Sequence, residues 1–236
     1  MTMQATEPQA ARLLLLHTAA VHIARFEALA QCLAPGLPLA HRVQPELLDL
    51  AREQGLGSVE LQAGIDQALA DARASGAAVL LCTCSTLGGL VEARAAAAMA
   101  EFPGLRALRV DRAMCELALA HGPRLLVVAA LQSTLAPTLS LLQAVAEARG
   151  QVLQARTLLV SEAWACFEAG DEAGYLATLR VALRNALAGA GNDAVDAVLL
   201  AQASMATLAD EDWPRPVLAS PAPGLAAALA LLESGL

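Results

Sequence analysis

Cys84 is the residue best placed to do chemistry. It stands in Leu80-Leu81-Cys82-Thr83-Cys84-Ser85-Thr86, where an apolar run gives way to hydroxyl residues and then to a helical pattern. A thiol at a helix N-terminus meets the positive end of the macrodipole and unpaired N–H groups, which lower its pKa. Cys82 falls inside the preceding strand and points elsewhere. Two cysteines this close can also begin a metal site. No second group of Cys or His lies near in sequence to complete a tetrahedron, so no metal is expected. Cys32, Cys115 and Cys166 sit in Ala- and Leu-rich helical stretches and read as packing residues.

The other polar groups of interest also follow apolar runs. His17-Thr18, Thr83 with Ser85 and Thr86, Ser133-Thr134, Ser204 and Ser220 each stand where a strand should end. Any one of them has an ordinary explanation as a helix N-cap. Together they would line a cleft with small neutral donors suited to an anion. His17 can act as an acid or, when charged, hold a carboxylate; a solvated loop histidine is the plainer reading. His22, His41 and His121 read as structural or solvated. Glu162 and Asp171 flank Trp164 and Phe167 on a helix of the second half, as a rim contact or as simple surface.

Composition narrows the chemistry further. The 15 basic residues are all Arg, and the absence of Lys excludes lysine Schiff bases, pyridoxal phosphate enzymes and Walker-type phosphate loops. Any carbanion chemistry must proceed without that electron sink. A net charge of -8 argues against nucleic acid. A carboxylate can still be held locally at helix N-termini. The start of the chain, 1–12, lacks a basic segment followed by an apolar one, and the apolar runs 13–16 and 224–232 are too short for a bilayer. With five cysteines, an odd number, a reducing cytoplasm is expected.

These residues need strands that end at a common edge. Apolar runs at 13–16, 37–43, 78–82 and 105–110 alternate with helical patterns at 21–33, 59–75, from 87 to 102, and 111–121. The second half repeats this with runs at 124–130, 152–160, 196–201 and 216–219, closed by a helix at 224–232. Ala78-Val79-Leu80-Leu81 recurs letter for letter as Ala197-Val198-Leu199-Leu200. Alternation and repetition of this kind predict duplicated α/β domains, each a small parallel sheet flanked by helices. In open parallel sheets ligands bind beyond the carboxyl ends of the strands, where these hydroxyl residues fall. The first domain is expected at 1–111 plus 216–236, with exchange of end segments, and the second at 112–215. The Ala-rich helix faces suit a homodimer.

The segment 76–88, the turn Gln202-Ala203-Ser204-Met205, the strand 217–219 with Ser220-Pro221, and the stretch 130–138 together resemble the aspartate/glutamate/hydantoin racemase superfamily. The resemblance runs in order from 13 to 224. It implies two pseudo-symmetric α/β domains with the site in the cleft between them, no cofactor and a small carboxylate-bearing substrate. It further implies one Cys from each domain on opposite faces of the α-carbon. Cys84 matches the first of these. His17-Thr18 falls where many members carry an acidic–hydroxyl pair, and Ser133-Thr134 falls on a turn that helps hold a carboxylate. The second cysteine is missing. Counting from Asp196 puts Gln202 in its place, whereas aligning the repeated tetrapeptides puts Ala203 there. The histidine that follows in the family is replaced by Ser204.

Two-base racemisation needs an acid and a base on opposite faces. Gln202 offers neither, and Ser204 would need an activating neighbour. The leading expectation is therefore a cofactor-independent racemase/isomerase-type enzyme in which Cys84 moves a proton at the carbon α to a carboxylate. One-base chemistry such as decarboxylation is included. The superfamily's decarboxylases work with a single cysteine, but theirs matches the second position, vacant here. The alternative is a non-catalytic protein that binds a small anion in the same cleft. A cysteine hydrolase is a third reading, and it lacks a His and carboxylate that can be tied to Cys84.

Overall fold

The structure, a computed structural model, describes residues 12–101, 103–188 and 195–234. The expectation about a targeting peptide falls on 1–11, outside the described residues.

Wholly apolar runs become the central strands. β1 (Leu13–His17), β3 (Val79–Cys82) and β7 (Ala197–Leu200) are buried throughout, and β5 (Arg124–Ala129) is buried after its first residue. A central parallel strand is covered on both faces, so it takes a continuous apolar run instead of an alternating one. The strands β2 (Leu39–Val43), β4 (Arg106–Arg109), β6 (Gln154–Leu159) and β8 (Val217–Ala219) lie at the edges and are more exposed. Every pairing is parallel, in the orders β2-β1-β3-β4 and β6-β5-β7-β8. The expected fold class, two similar parallel sheets flanked by helices, is the one observed.

Alternation along each strand sends side chains into two apolar layers per sheet. Leu14, Leu16, Leu80 and Cys82 meet α2 (Pro45–Gln54), α3 (Val59–Ala74) and α4 (Ser85–Ala97) through Leu47, Ile65 and Leu87. Leu13, Leu15, Val79 and Leu81 meet Phe26 of α1 (His22–Leu33) and Leu225 and Leu229 of α9 (Pro221–Glu233). In the second sheet, Leu125, Val127 and Leu199 pack on α5 (Arg112–His121) and α6 (Gln132–Ala148). Leu126, Val128, Val198 and Leu200 pack on Ala163 of α7 (Ser161–Glu168), Tyr175 and Leu179 of α8 (Glu172–Ala188), and Met205 of the 3-10 helix Ala203–Asp210. Helix α2 was not read from the sequence. It is short and begins with Pro45 at its first turn, a position where proline's missing N–H costs nothing.

The halves exchange helices. After β4 the chain crosses over, and Met114, Cys115 and Leu119 of α5 enter the core of the second sheet. After β8 it crosses back, and α9 covers the first. The exchange was expected to begin at 216; it begins after β8, because β8 is hydrogen-bonded along β7 and only the helix leaves. Cys82 and Cys115 are core residues, and Cys166 is half-buried against the second sheet. Cys32, expected to pack, is exposed, because it lies on the outer face of α1.

The return of α9 depends on close approach. A Cβ added at Gly224 would collide with the carbonyl oxygen of Val110, just beyond β4. Gly224→Val is expected to cost about 1–3 kcal/mol through overpacking at this crossing. Urea unfolding monitored by circular dichroism measures it; a midpoint equal to wild type would mean that α9 is not seated there.

Candidate active site

The carboxyl ends of both sheets open onto one cleft, a cavity of about 190 Å3. Cys84 reaches it because of how β3 ends. The Thr83 N–H bonds to the Leu16 carbonyl at 3.0 Å, extending the β1–β3 ladder by one rung. Cys84 is then the first residue off the strand and the N-cap of α4, its carbonyl accepting from Leu87 at 3.1 Å and Gly88 at 2.8 Å. Its side chain lines the cavity.

The thiol's pKa is raised, which corrects the expectation of a lowered one. Burial is the largest influence. The Thr18 hydroxyl, the backbone N–H groups of Leu87 and Thr86, and the Thr86 hydroxyl act against it without overcoming it. Removing a thiolate from water costs more here than a helix terminus and its donors return. At neutral pH Cys84 is a protonated thiol.

The second half ends its central strand in the same way. The Ala201 N–H bonds to the Val128 carbonyl at 2.9 Å, as Thr83 does to Leu16. Gln202 is next and caps the 3-10 helix with an extended backbone, so it is the counterpart of Cys84. The repeated tetrapeptides lie one residue out of structural register. The Gln202 Oε1 accepts from the backbone N–H groups of Ala130 at 2.6 Å and Leu131 at 3.2 Å, which turns its amide N–H2 toward the cavity. This amide donates hydrogen bonds and does not titrate. Ser204 hydrogen-bonds the Tyr175 hydroxyl at 2.7 Å, and burial pushes that phenol up to about 12, so the pair supplies no base at neutral pH.

Of the remaining expected residues, Thr18, Thr83, Ser85, Thr86, Thr134 and Ser204 line the cavity with Cys84 and Gln202. The Thr86 and Thr134 hydroxyls meet at 3.2 Å and tie the starts of α4 and α6 across the two halves. Three residues do not line it. Ser133 turns away at the second position of α6 while Thr134 faces α4. Ser220 ends the edge strand β8, to one side of the cleft above the central strands, and is fully buried. His17 is fully buried below the floor. It bonds Thr83 Oγ1 through Nδ1 at 2.9 Å and His41 through Nε2 at 2.9 Å.

Residues missed in the sequence form the mouth. Arg52 of α2 reaches Glu168 of α7 at 3.2 Å, and its guanidinium lies 5.8 Å from the centre of the Trp164 ring. Trp164 donates to Glu168 at 2.7 Å and stacks on Phe167 at 4.8 Å. Pro45, Leu48, Asp49 and His22 complete the wall. His22 was expected to be structural or solvated; it is half-buried on the wall, and burial, with Arg25 nearby, lowers its pKa to about 4. The rim carboxylates are Asp49 and Glu168; Glu162 and Asp171, read as a rim contact or as simple surface, are exposed and do not line the cavity. Asp171 instead caps the Gly174 N–H of α8 at 2.9 Å. One signal was available: the whole chain has 2 Trp, 3 Phe and 1 Tyr, and Trp164, Phe167 and Tyr175 fall close together. Past His22, Phe167 and Ser204 the cleft continues into a second hollow of about 270 Å3 beside Arg25 and Tyr175.

Two four-stranded parallel sheets facing one cleft at their carboxyl ends define the two-domain racemase fold. The chain is similar to an aspartate racemase of Picrophilus torridus, with a TM-score of 0.66 and 15% identity over 94% of this chain and 92% of the other. An allantoin racemase of Klebsiella pneumoniae matches with a TM-score of 0.62 and 18% identity over 96% and 89%. A sulfate-associated variant of arylmalonate decarboxylase matches with 0.51 and 21% identity over 95% and 94%. No protein-family model matches the sequence, and no curated protein matches it significantly. Among the described residues, no helix is long and apolar enough to cross a membrane.

Burial lowers the His17 pKa to about 3, helped by the nearby charges of His41 and His22. An unfolded chain takes up this proton near the ordinary value of 6.5 and the folded one does not, so protons favour the unfolded state between these values. Stability should therefore fall with pH below about 6.5, with His17 contributing roughly 1.4 kcal/mol per unit until its folded pKa is reached. Urea titrations from pH 7 to 4 on wild type and His17→Asn test this; an identical slope in the two proteins would contradict it.

Proposed function

We propose that this protein is a cofactor-independent enzyme that forms or breaks a bond at the carbon α to a carboxylate, with Cys84 as its single proton-transfer group. The observation that carries the reading is the pairing of a protonated thiol at residue 84 with a non-titrating amide at residue 202. A carboxylate is held by the N–H groups at the starts of α4 and α6 and by the hydroxyls of Thr18, Ser85, Thr86 and Thr134. Loss of CO2 leaves an enediolate in reach of these donors and of the Gln202 amide. The Cys84 thiol then protonates one face of the carbon. A raised pKa suits a proton donor. Racemisation by two thiols is not the reading here, because residue 202 cannot supply the second. The names of the similar proteins, two kinds of racemase and a decarboxylase, support chemistry at a carbon beside a carbonyl or carboxylate group.

Five free cysteines suit a reducing compartment, and a cytoplasmic location goes with this proposal. A binding protein is the second reading, favoured by the donor-only character of Gln202.

The test is turnover of a panel of malonates, α-amino acids and hydantoins in D2O. One deuterium should enter the α-carbon from one face, and Cys84→Ser should lower the rate by roughly 100-fold or more. No deuterium in any product, or a Cys84→Ser rate equal to wild type, would sink the proposal. Gln202→Cys places a thiol on the opposite wall and is expected to let both faces exchange, so that a chiral product forms as a racemate. Chiral chromatography reads this, and an unchanged enantiomer ratio would count against residue 202 facing Cys84 across the substrate.

A further inference from the structure

One buried hydrogen-bonded chain plays no part in the chemistry above. It starts at Glu27 on α1, whose side chain is 55% exposed, and passes to His41 on β2, 12% exposed. It continues to His17, which is fully buried, and ends at Thr83 on the cavity floor beside Cys84. Its links are Glu27 Oε1 to His41 Nε2 at 2.8 Å, His41 Nδ1 to His17 Nε2 at 2.9 Å, and His17 Nδ1 to Thr83 Oγ1 at 2.9 Å.

Two proton patterns satisfy the chain. In the first, Thr83 O–H donates to His17 Nδ1, His17 Nε2–H to His41 Nδ1, and His41 Nε2–H to Glu27. In the second, Thr83 turns its O–H to the Leu16 carbonyl at 3.1 Å and accepts from His17 Nδ1–H, and His17 Nε2 accepts from His41 Nδ1–H. The second pattern holds one proton more, on His41, and His17 is neutral in both, in keeping with its lowered pKa. His22 and Phe26 are the other rings against His17, with centroids at 6.4 and 5.6 Å. An apolar side chain would fill this place without burying polar nitrogens.

We propose that Glu27, His41, His17 and Thr83 form a proton path from solvent to the cleft floor that restores the proton Cys84 gives up. The proposal rests on the reading of Cys84 above. A reaction that creates a C–H bond without breaking one, as decarboxylation does, consumes a solvent proton in every cycle. A bound substrate shields the sulfur from bulk water at that moment. The Thr83 hydroxyl proton passes to the Cys84 thiolate, directly or through one water. His17 Nδ1–H replaces it, and His41 Nδ1–H moves to His17 Nε2. One proton has entered the cleft, and His41 is neutral beside the Glu27 carboxylate. Acid from solvent reprotonates His41, and reorientation of the rings restores the starting pattern. His17 and His41 act through Thr83 and are positioning residues in this scheme.

Turnover of His41→Phe and Glu27→Gln, with and without added imidazole, tests the path. His41→Phe should lower kcat about tenfold or more with little change in KM, and imidazole should restore it by supplying the missing proton. Imidazole should not restore Cys84→Ser. Glu27→Gln, at an exposed position, keeps the fold intact and should show a smaller loss with the same rescue. Wild-type rates in both variants, or losses that imidazole leaves unchanged, would overturn the path. Nitrogen-15 spectra of the histidines give a readout without turnover. If wild type shows no Cys84-dependent reaction with any acid, the reading of the reaction fails and these spectra decide the path. Protonation of His41 that moves the His17 proton from Nε2 to Nδ1 supports it, and a His17 tautomer that stays the same when His41 is protonated overturns it.

Discussion

Everything at the cleft depends on where two parallel ladders stop. In each half the last rung is a single N–H, that of Thr83 or of Ala201, closing onto the neighbouring central strand. The next residue must leave the sheet and start a helix, and its side chain turns into the space that the two sheets share. Residues 84 and 202 hold equivalent places for that reason alone. A one-residue slip in either ladder would put Thr83 or Ser85 at the first, and Ala201 or Ala203 at the second.

The electrostatics follow from what those ladders enclose. The inner cleft is neutral, with a thiol, an amide, hydroxyls and helix N-termini, while the full charges of Asp49, Arg52 and Glu168 stand at the mouth. In such a place the desolvation of an anion outweighs a helix dipole. Cys84 is therefore an acid awaiting a base, where a more exposed helix terminus would have made it a nucleophile. Burial keeps His17 neutral for the same reason, and Tyr175 as well. A fixed carboxylate group of a bound molecule would find its donors already oriented, at no cost of reorganisation.

The exchange of helices gives this arrangement its rigidity. Because α5 completes the second sheet's core and α9 the first, neither half can bury its apolar surface without the other. The Thr86–Thr134 contact and the Arg52–Glu168 pair then bridge halves that are already joined at their backs. The buried pair of Arg109 and Asp111, at 2.7 Å, lies at this seam, and Arg109 also reaches the Pro137 carbonyl of α6 at 3.4 Å. Gly88 and Gly89 leave the room that the Arg109 side chain occupies.

Local chemistry alone determined the central strands, the duplicated order of elements, and the placement of Cys84 at a strand-to-helix turn, since continuous apolar runs and short hydroxyl segments carry that information in one dimension. Which of Gln202 and Ala203 is the counterpart of Cys84 could not be read that way. The repeated tetrapeptide pointed to the wrong register, and only the ladder hydrogen bonds decide it. The same holds for the mouth, because Arg52 and Glu168 lie far apart in the chain and meet through the packing of α2 and α7. It holds for His17, whose position after an apolar run looks the same whether the ring enters the cleft or lies beneath its floor. Desolvation is a property of the surroundings in three dimensions, and so the protonation of Cys84 and of His17 was for the tertiary structure to decide.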